Sequence, residues 1–169
     1  MEKRRSFIKK SGFLLAASAL PLSALAKFLG LKKSPPATTV VTLYVNTAQI
    51  DNRNVNASCN FGQASGISNE EFTIEVNVGD TITWQGVSSN APSTDVVNIV
   101  SINHEGGKNV FDQNVLKSSM EDGREKVSAV VRSRTDDGNK YKYKISFTVI
   151  NGGNRRNGMF HIDPKIEVH

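Results

Sequence analysis

The sequence predicts an all-β protein, an antiparallel Greek-key β-sandwich of seven to eight strands. Three observations lead to this fold class. Apolar and polar side chains alternate with a period of two in many segments after residue 40, as in half-buried strands. Turns rich in Gly, Asn, Asp and Pro separate these segments. No segment keeps a convincing helical period over three turns, so the crossover helices of a parallel sheet are not expected.

The predicted strands follow one another along the chain. Gly79 and Asp80 form a tight turn before the strand that carries Trp84. Residues 96–102 are apolar on both faces, so a central, buried strand is expected there, and residues 111–120 have room for one short helix at most. The predicted strands lie at residues 41–45, 72–78, 81–85, 96–102, 127–132, 141–149 and 160–168. The turns are expected at residues 86–92, 105–107, 136–139 and 151–154.

The length and composition of the chain are those of one globular domain with a short appendage. It has 169 residues, of which 38% are hydrophobic and 22% are charged, so it is neither a disordered chain nor a multi-span membrane protein. Cys59 is the one cysteine in the sequence. This excludes an intrachain disulfide and a cysteine-based zinc cluster.

Residues 1–26 are predicted to be a signal peptide. Arg4 and Arg5, followed by Ser-Phe-Ile-Lys, resemble the twin-arginine export motif, and the apolar run at residues 12–25 is too short for a transmembrane helix. Cleavage is expected after Ala26, with an uncleaved N-terminal anchor as the alternative. The resemblance implies a bacterial protein that is exported folded. A periplasmic or secreted location is therefore expected, with membrane contact only during export.

Residues 27–39 are predicted to be a flexible linker, because they contain two adjacent prolines and no regular period. A single β-sandwich domain then spans residues 40–169. The chain carries a net charge of +5, but from Val40 onward it has 13 Lys and Arg against 15 Asp and Glu. Because nucleic-acid binding needs a clustered positive field, no nucleic-acid partner is expected.

The candidate binding residues lie in loops. Arg155 and Arg156 form the most exposed cationic pair in the predicted domain, and guanidinium groups bind carboxylates and phosphates well. His104 is predicted to lie in a loop beside a Glu-Gly-Gly turn. The loops expected to contact a partner are residues 49–69, 86–94, 104–109 and 151–158.

The alternative to a binding protein is a copper protein. Residues 79–84 and the late Met/His strand resemble the cupredoxins, which share a sandwich architecture with immunoglobulin-like domains. A blue-copper site needs two His, one Cys and usually a Met. Residues 149–151, where that family has its cysteine, contain none. No metal site is therefore predicted, and a non-blue copper site from His104, His161 and Met159 is the alternative.

No catalytic residues are predicted. The sequence has no Gly-x-Ser-x-Gly motif, and its adjacent acidic residues on strands point to opposite faces. Cys59, in a polar loop, is a candidate thiolate nucleophile only if a histidine lies beside it. A small exported hydrolase or thiol enzyme is therefore the least favoured function.

Three segments resemble the AidA/PixA inclusion-body protein family. Residues 158–168 are similar to its closing motif, roughly Gly-Tyr-Phe-x-Trp-Asp-Pro-x-Ile-x-Val. Residues 78–86 resemble its Val-Gly-Asp-x-x-x-Trp-Arg-Gly motif, and residues 41–50 resemble its opening strand. The resemblance implies a compact β-sandwich with no known catalysis that can associate with itself. In the closing motif, Asp163 and Pro164 are expected to form a bulge or an edge.

These observations favour an exported, non-catalytic β-sandwich without a cofactor that binds through its loops. A glycan or a protein is the expected partner, and pairing of sheet edges into a homo-oligomer is a variant of this hypothesis. Copper binding or electron transfer is the alternative function.

Overall fold

Alternating residues from Thr38 onward form the strands of two packed sheets. The computed structural model describes residues 35–136 and 138–169, and residues 36–169 form one compact unit. The all-β sandwich is therefore confirmed. The predicted signal peptide and residues 27–34 of the predicted linker lie outside the described residues.

The described part contains twelve strands and one helical turn, more than the seven or eight strands expected, because several strands are only two or three residues long. The strands are β1 (Thr38–Val45), β2 (Cys59–Asn60), β3 (Thr73–Val76), β4 (Thr81–Ser88), β5 (Val96–Gly106), β6 (Val115–Lys117), β7 (Ser119–Glu121), β8 (Arg124–Val130), β9 (Tyr141–Asn151), β10 (Asn154–Arg155), β11 (Phe160–Ile162) and β12 (Lys165–Val168). The helical turn is α1 (Val55–Ser58).

Each sheet has a long central strand. The first sheet has the order β2-β1-β4-β8-β7, and the second has the order β3-β12-β9-β5-β6. Strands β10 and β11 also pair with β9. The expected central position of the strand at residues 96–102 is confirmed, since β5 lies between β9 and β6.

The expectation of purely antiparallel pairing is wrong for two pairs. Strand β1 runs parallel to β4 over eight residue pairs, and β12 runs parallel to β3 over four. No crossover helix is needed, because the chain between β1 and β4 passes through β3 in the opposite sheet. A strand of the second sheet thus replaces the helix that usually connects parallel strands.

The core lies between the inward-facing residues of both sheets. Trp84 is 1% exposed, and its indole N–H donates to the Tyr143 hydroxyl at 3.1 Å. The turn expected at residues 86–92 begins later than predicted, because β4 continues through Gly86 to Ser88. Gly86 lies directly against Val97 of the opposite sheet, where a Cβ atom would be 2.3 Å from Val97 Cγ1. The absence of a side chain at Gly86 therefore allows the two sheets to approach.

Three other local predictions are corrected. Residues 111–120 contain no helix, because the chain crosses there from β6 in one sheet to β7 in the other. The folded domain begins with a strand at Thr38, two residues before the expected boundary. Asp163 and Pro164 form no bulge, since residue pairs on both sides of them keep one register with β9. Pro164 only interrupts the pairing, because it has no N–H to donate.

Candidate functional site

A buried carboxylate organises one end of the sandwich. Asp95, just before β5, is 2% exposed, and Thr47, just after β1, is fully buried. The Thr47 hydroxyl lies 2.5 Å from the Asp95 carboxylate and 2.8 Å from the Ser88 hydroxyl. Since a hydroxyl holds one hydrogen, Thr47 donates to Asp95 and accepts from Ser88. Strands β1, β4 and β5 are thereby joined at this end, which we call the Asp95 end.

The hairpin between β9 and β10 is held by the same carboxylate. The Asn151 side-chain amide donates to Asp95 at 2.7 Å, and the Gly152 backbone N–H donates at 3.0 Å. The hydrogen bonds from Gly152, Thr47 and Asn151, in that order of importance, lower the pKa of Asp95 to about 2. Asp95 is therefore a fixed anion that joins three connections of the chain.

A shallow cleft of about 420 Å³ opens on the Asp95 end. Its polar lining comes from Asp51, Asn52, Asn157 and the two arginines. The Arg156 guanidinium donates to the Ala48 carbonyl oxygen, so this arginine connects the hairpin to the loop after β1. The two remaining residues of the lining, Ile50 and Phe160, are apolar.

The structure brings together three of the four predicted loops. Residues 50–52 and the hairpin at residues 151–158 line the cleft, and Asn90 of the loop at residues 86–94 accepts a hydrogen bond from the Thr47 backbone N–H beside it. Arg155 is exposed there, and Arg156 is half-buried. The loop at residues 104–109 lies at the opposite end, because Gly106 pairs with Lys142 near the start of β9.

His104 is not part of this site, and its prediction as a loop residue is wrong. It lies within β5 and pairs with Tyr143, whereas Arg155 pairs with Ile150, roughly 23 Å further along β9. Its ring stacks on Tyr141 with a centroid distance of 5.1 Å, and its Nε2 atom lies 3.2 Å from the Gly107 carbonyl oxygen. These contacts place His104 at the border of an aromatic cluster.

The alternative copper ligands are not brought together. His104 is opposite Tyr143 on β9, and His161 is opposite Ser146. Successive residues of a strand point to opposite faces, so these two histidines lie on opposite faces of the sheet. The predicted outward position of His161 is correct, since it is exposed and contacts the Ser146 hydroxyl at 3.2 Å. Met159 is 41% exposed in the turn before β11. One ion cannot therefore bind both histidines.

Other chemical centres are also not found in the described residues. Within residues 35–136 and 138–169, no three His, Cys, Asp or Glu side chains are grouped closely enough to hold one metal ion. Cys59 lies beside a shallow cleft of about 410 Å³ but is only 4% exposed. Burial raises the pKa of this thiol to about 12, so it is not a thiolate nucleophile.

The turn at Gly79 and Asp80, within the family-like motif at residues 78–86, has a structural role. The Asp80 carboxylate accepts hydrogen bonds from the backbone N–H groups of Asn77 and Ala37, both at 2.8 Å. The bonds from Ala37 and Asn77 lower the pKa of Asp80. Asp80 thus fixes the turn before β4 and holds the start of β1 beside it.

The Asp95 network was missed by reasoning from sequence. Thr47, Ser88 and Asn151 each lie at or just after the end of a strand, where Ser, Thr and Asn are common and carry little information. An acidic residue directly before a buried strand, as at Asp95, is the one signal that was present.

The described residues include no helix long and apolar enough to span a membrane.

Comparison with known proteins supports the fold and the family. The fold is similar to the crystal structure of a PixA inclusion body protein from Burkholderia cenocepacia, with a TM-score of 0.59 and 16% sequence identity. That similarity covers 83% of this chain and 100% of the other. A reduced copper(I) form of a mutant amicyanin at pH 4 aligns with a TM-score of 0.31 and 15% identity, over 80% of this chain and 87% of its own.

A third structure and two sequence comparisons complete the findings. The bradyzoite-specific antigen BSR4 from Toxoplasma gondii aligns with a TM-score of 0.26 and 8% identity, over 82% of this chain and 45% of its own. The TM-scores of amicyanin and of this antigen are too low to support a shared fold. A search of curated proteins finds no match. The family described as "PixA: Inclusion body protein" matches residues 45–168, which is more than half of the chain. The predicted resemblance is thus confirmed, and the chain belongs to the PixA inclusion body protein family.

Proposed function

We propose that this chain is an exported, non-catalytic binding protein that recognises a glycan through the cleft at the Asp95 end. The observation that carries the proposal is the Asp95 carboxylate, which holds three loops together through Thr47, Asn151 and Gly152. Loops held in this way lose little conformational entropy when a ligand binds. A rigid loop surface is therefore available for recognition.

The chemistry of the cleft suits sugar hydroxyl groups. Asn52 and Asn157 offer amide donors and acceptors, Asp51 offers a carboxylate, and Arg155 offers an exposed guanidinium. Neutral and acidic sugars present hydroxyls and carboxylates that such groups bind in pairs. A protein partner with acidic side chains is the alternative ligand class for the same cleft.

Family membership and the β-sandwich support a non-enzymatic, PixA-like protein. The positions of the candidate catalytic and copper residues agree with this proposal. The thiol of Cys59 is buried and protonated, and His104 and His161 lie on opposite faces of one sheet. Export follows from the twin-arginine resemblance of residues 1–26 and remains part of the proposal.

A glycan array tests the proposed binding. The purified protein is expected to give a reproducible hit that Arg155→Ala and Asn52→Ala each weaken about tenfold, which corresponds to about 1.4 kcal/mol. Arg134→Ala is the matched control, because Arg134 is exposed beyond β8, at the opposite end from Asp95. The absence of any hit, or a hit that both cleft variants retain, would contradict the glycan proposal.

A further inference from the structure

One long strand has an open edge in the described part of the chain. Strand β1 pairs with β4 along its whole length, but on its other side it pairs with β2 only at Tyr44 and Val45. Within residues 35–136 and 138–169, no strand lies beside residues 38–43 on that side. An unpaired strand edge is a template for another strand.

The hydrogen bonds identify which backbone groups point outward. The Ser89 N–H donates to the Val45 carbonyl oxygen on the β4 side, whereas the Asn46 N–H donates to the Ser58 carbonyl oxygen on the β2 side. Odd-numbered residues of β1 therefore bond to β4, and even-numbered residues face the opposite side. The N–H and C=O groups of Thr38, Val40 and Thr42 thus lie along the open edge.

This edge lacks the features that prevent pairing in soluble proteins. Neither β1 nor its neighbour β4 contains a charged residue, and Val40 is 53% exposed. Of the other strands at sheet edges, β2 has only two residues, and three more are short and carry charge. These are β3 with Glu75, β6 with Lys117 and β7 with Glu121, each of three or four residues. Edge charges and short edge strands discourage association, so β1 is the exposed edge best suited to pair.

We propose that two copies of this chain associate by antiparallel pairing of β1 with β1 across a two-fold axis within residues 38–42. The expected partner is a second copy of the chain, because a two-fold contact joins the same surface of both copies. Because β1 carries no charged side chain, pairing with a second β1 brings no like charges together and buries no unpaired charge. This inference concerns a different surface from the Asp95 end and does not depend on glycan binding.

The expected association is weak and depends on protein concentration. Five residues of paired strand bury less surface than the roughly 1,200 Å² of a stable interface. Sedimentation velocity over a dilution series should therefore show a reversible shift between monomer and dimer. A protein that is monomeric at every concentration would overturn the proposal.

Val40→Pro is the variant that separates pairing from folding. Proline removes the outward N–H of Val40 but no hydrogen bond to β4, and it is tolerated at a strand edge. Val115→Pro is the matched control, because Val115 is an exposed valine of edge strand β6 whose N–H also points away from its neighbour β5. Val40→Pro is expected to weaken the dimer at least tenfold, and Val115→Pro is expected to leave it unchanged. A dimer that survives Val40→Pro, or that both variants weaken, would overturn the proposal.

Amide hydrogen exchange tests the same contact without a substitution. At high concentration the amides of Thr38, Val40 and Thr42 are expected to be protected, and on dilution only these should lose protection. The amides of Thr39 and Val41 bond to β4 and should stay protected throughout. Exchange that is fast at all concentrations would overturn the proposal. Protection that persists in the monomer would overturn it too, because another segment of the same chain would then cover the edge.

Discussion

Asp95 illustrates how a single residue can be both charged and buried. The residue is 2% exposed, but its carboxylate accepts hydrogen bonds from Gly152, Thr47 and Asn151. A buried charge is tolerated when donors replace the lost water, and here the donors come from separate parts of the chain. The charge therefore connects the loop after β1, in the first sheet, with the ends of β5 and β9, in the second sheet.

Acid unfolding should reveal the charge of Asp95. The pKa of this carboxyl is lowered to about 2 in the folded protein, against about 3.9 in an unfolded chain. Between these values the unfolded state binds more protons, so the stabilisation is present above about pH 4 and is lost as the pH falls towards 2. In Asp95→Asn, the free energy of unfolding is expected to be lower at neutral pH and to fall less steeply between pH 4 and 2. Urea titrations at several pH values measure this.

The control for Asp95→Asn is Glu71→Gln, a neutral substitution at an exposed acidic residue before β3. It should leave both the free energy of unfolding at neutral pH and its acid dependence close to those of the original protein. If Asp95→Asn showed the same acid dependence as the original chain, the carboxylate would not be the group that organises this end.

At the scale of the elements, the contact between β4 and β5 depends on Gly86. A Cβ atom there would lie 2.3 Å from Val97 Cγ1 and 2.8 Å from the Val97 carbonyl oxygen. Gly86→Ala is therefore expected to lower the free energy of unfolding by about 1–3 kcal/mol through overpacking. Chemical denaturation measures the change.

Two further variants check this cause. Gly106→Ala, at a strand position where a Cβ would meet only Lys142 Cδ at 4.0 Å, should have little effect or stabilise slightly. In a double-mutant cycle, Gly86→Ala should cost less in the Val97→Ala background than in the original chain, because Val97→Ala removes Cγ1, the nearest clashing atom. Equal effects of Gly86→Ala and Gly106→Ala would show that the sheets are not in close contact at Gly86.

The elements also show what the sequence can and cannot predict. The alternating residues of β1, β4 and β9 predict those strands, because apolar side chains line one face of each strand and polar side chains the other. The parallel pairs β1–β4 and β3–β12 could not be predicted, since the choice of neighbour depends on how the two sheets pack. His104 was misplaced because its Glu-Gly-Gly sequence predicts a turn, whereas β5 extends to Gly106.

At the scale of the whole molecule, the Asp95 end could be predicted only in part. Arg155 and Arg156 stood out as an exposed pair in a glycine-rich hairpin, and that hairpin does belong to the cleft. Thr47 and Asn151 are 104 positions apart in the sequence and meet only because the sandwich brings their strand ends together. No local pattern contains that information.

Export is the prediction that concerns the whole chain. Replacing Arg4 and Arg5 with lysine is expected to leave most of the protein uncleaved in the cytoplasm, because the twin-arginine motif is recognised by a receptor rather than by its charge. Cell fractionation and the size of the product measure this. The matched control replaces Arg155 and Arg156 with lysine, which should not alter export. Equal export of both double variants would contradict the twin-arginine assignment.

The position of β12 has a consequence for synthesis. Residues 165–168 lie between β9 and β3, so β12 is an interior strand of the second sheet rather than an edge strand. A nascent chain that is still attached to the ribosome without these residues leaves β3 with no neighbour in its sheet. The domain can therefore complete its fold only after residue 168 has emerged from the ribosome.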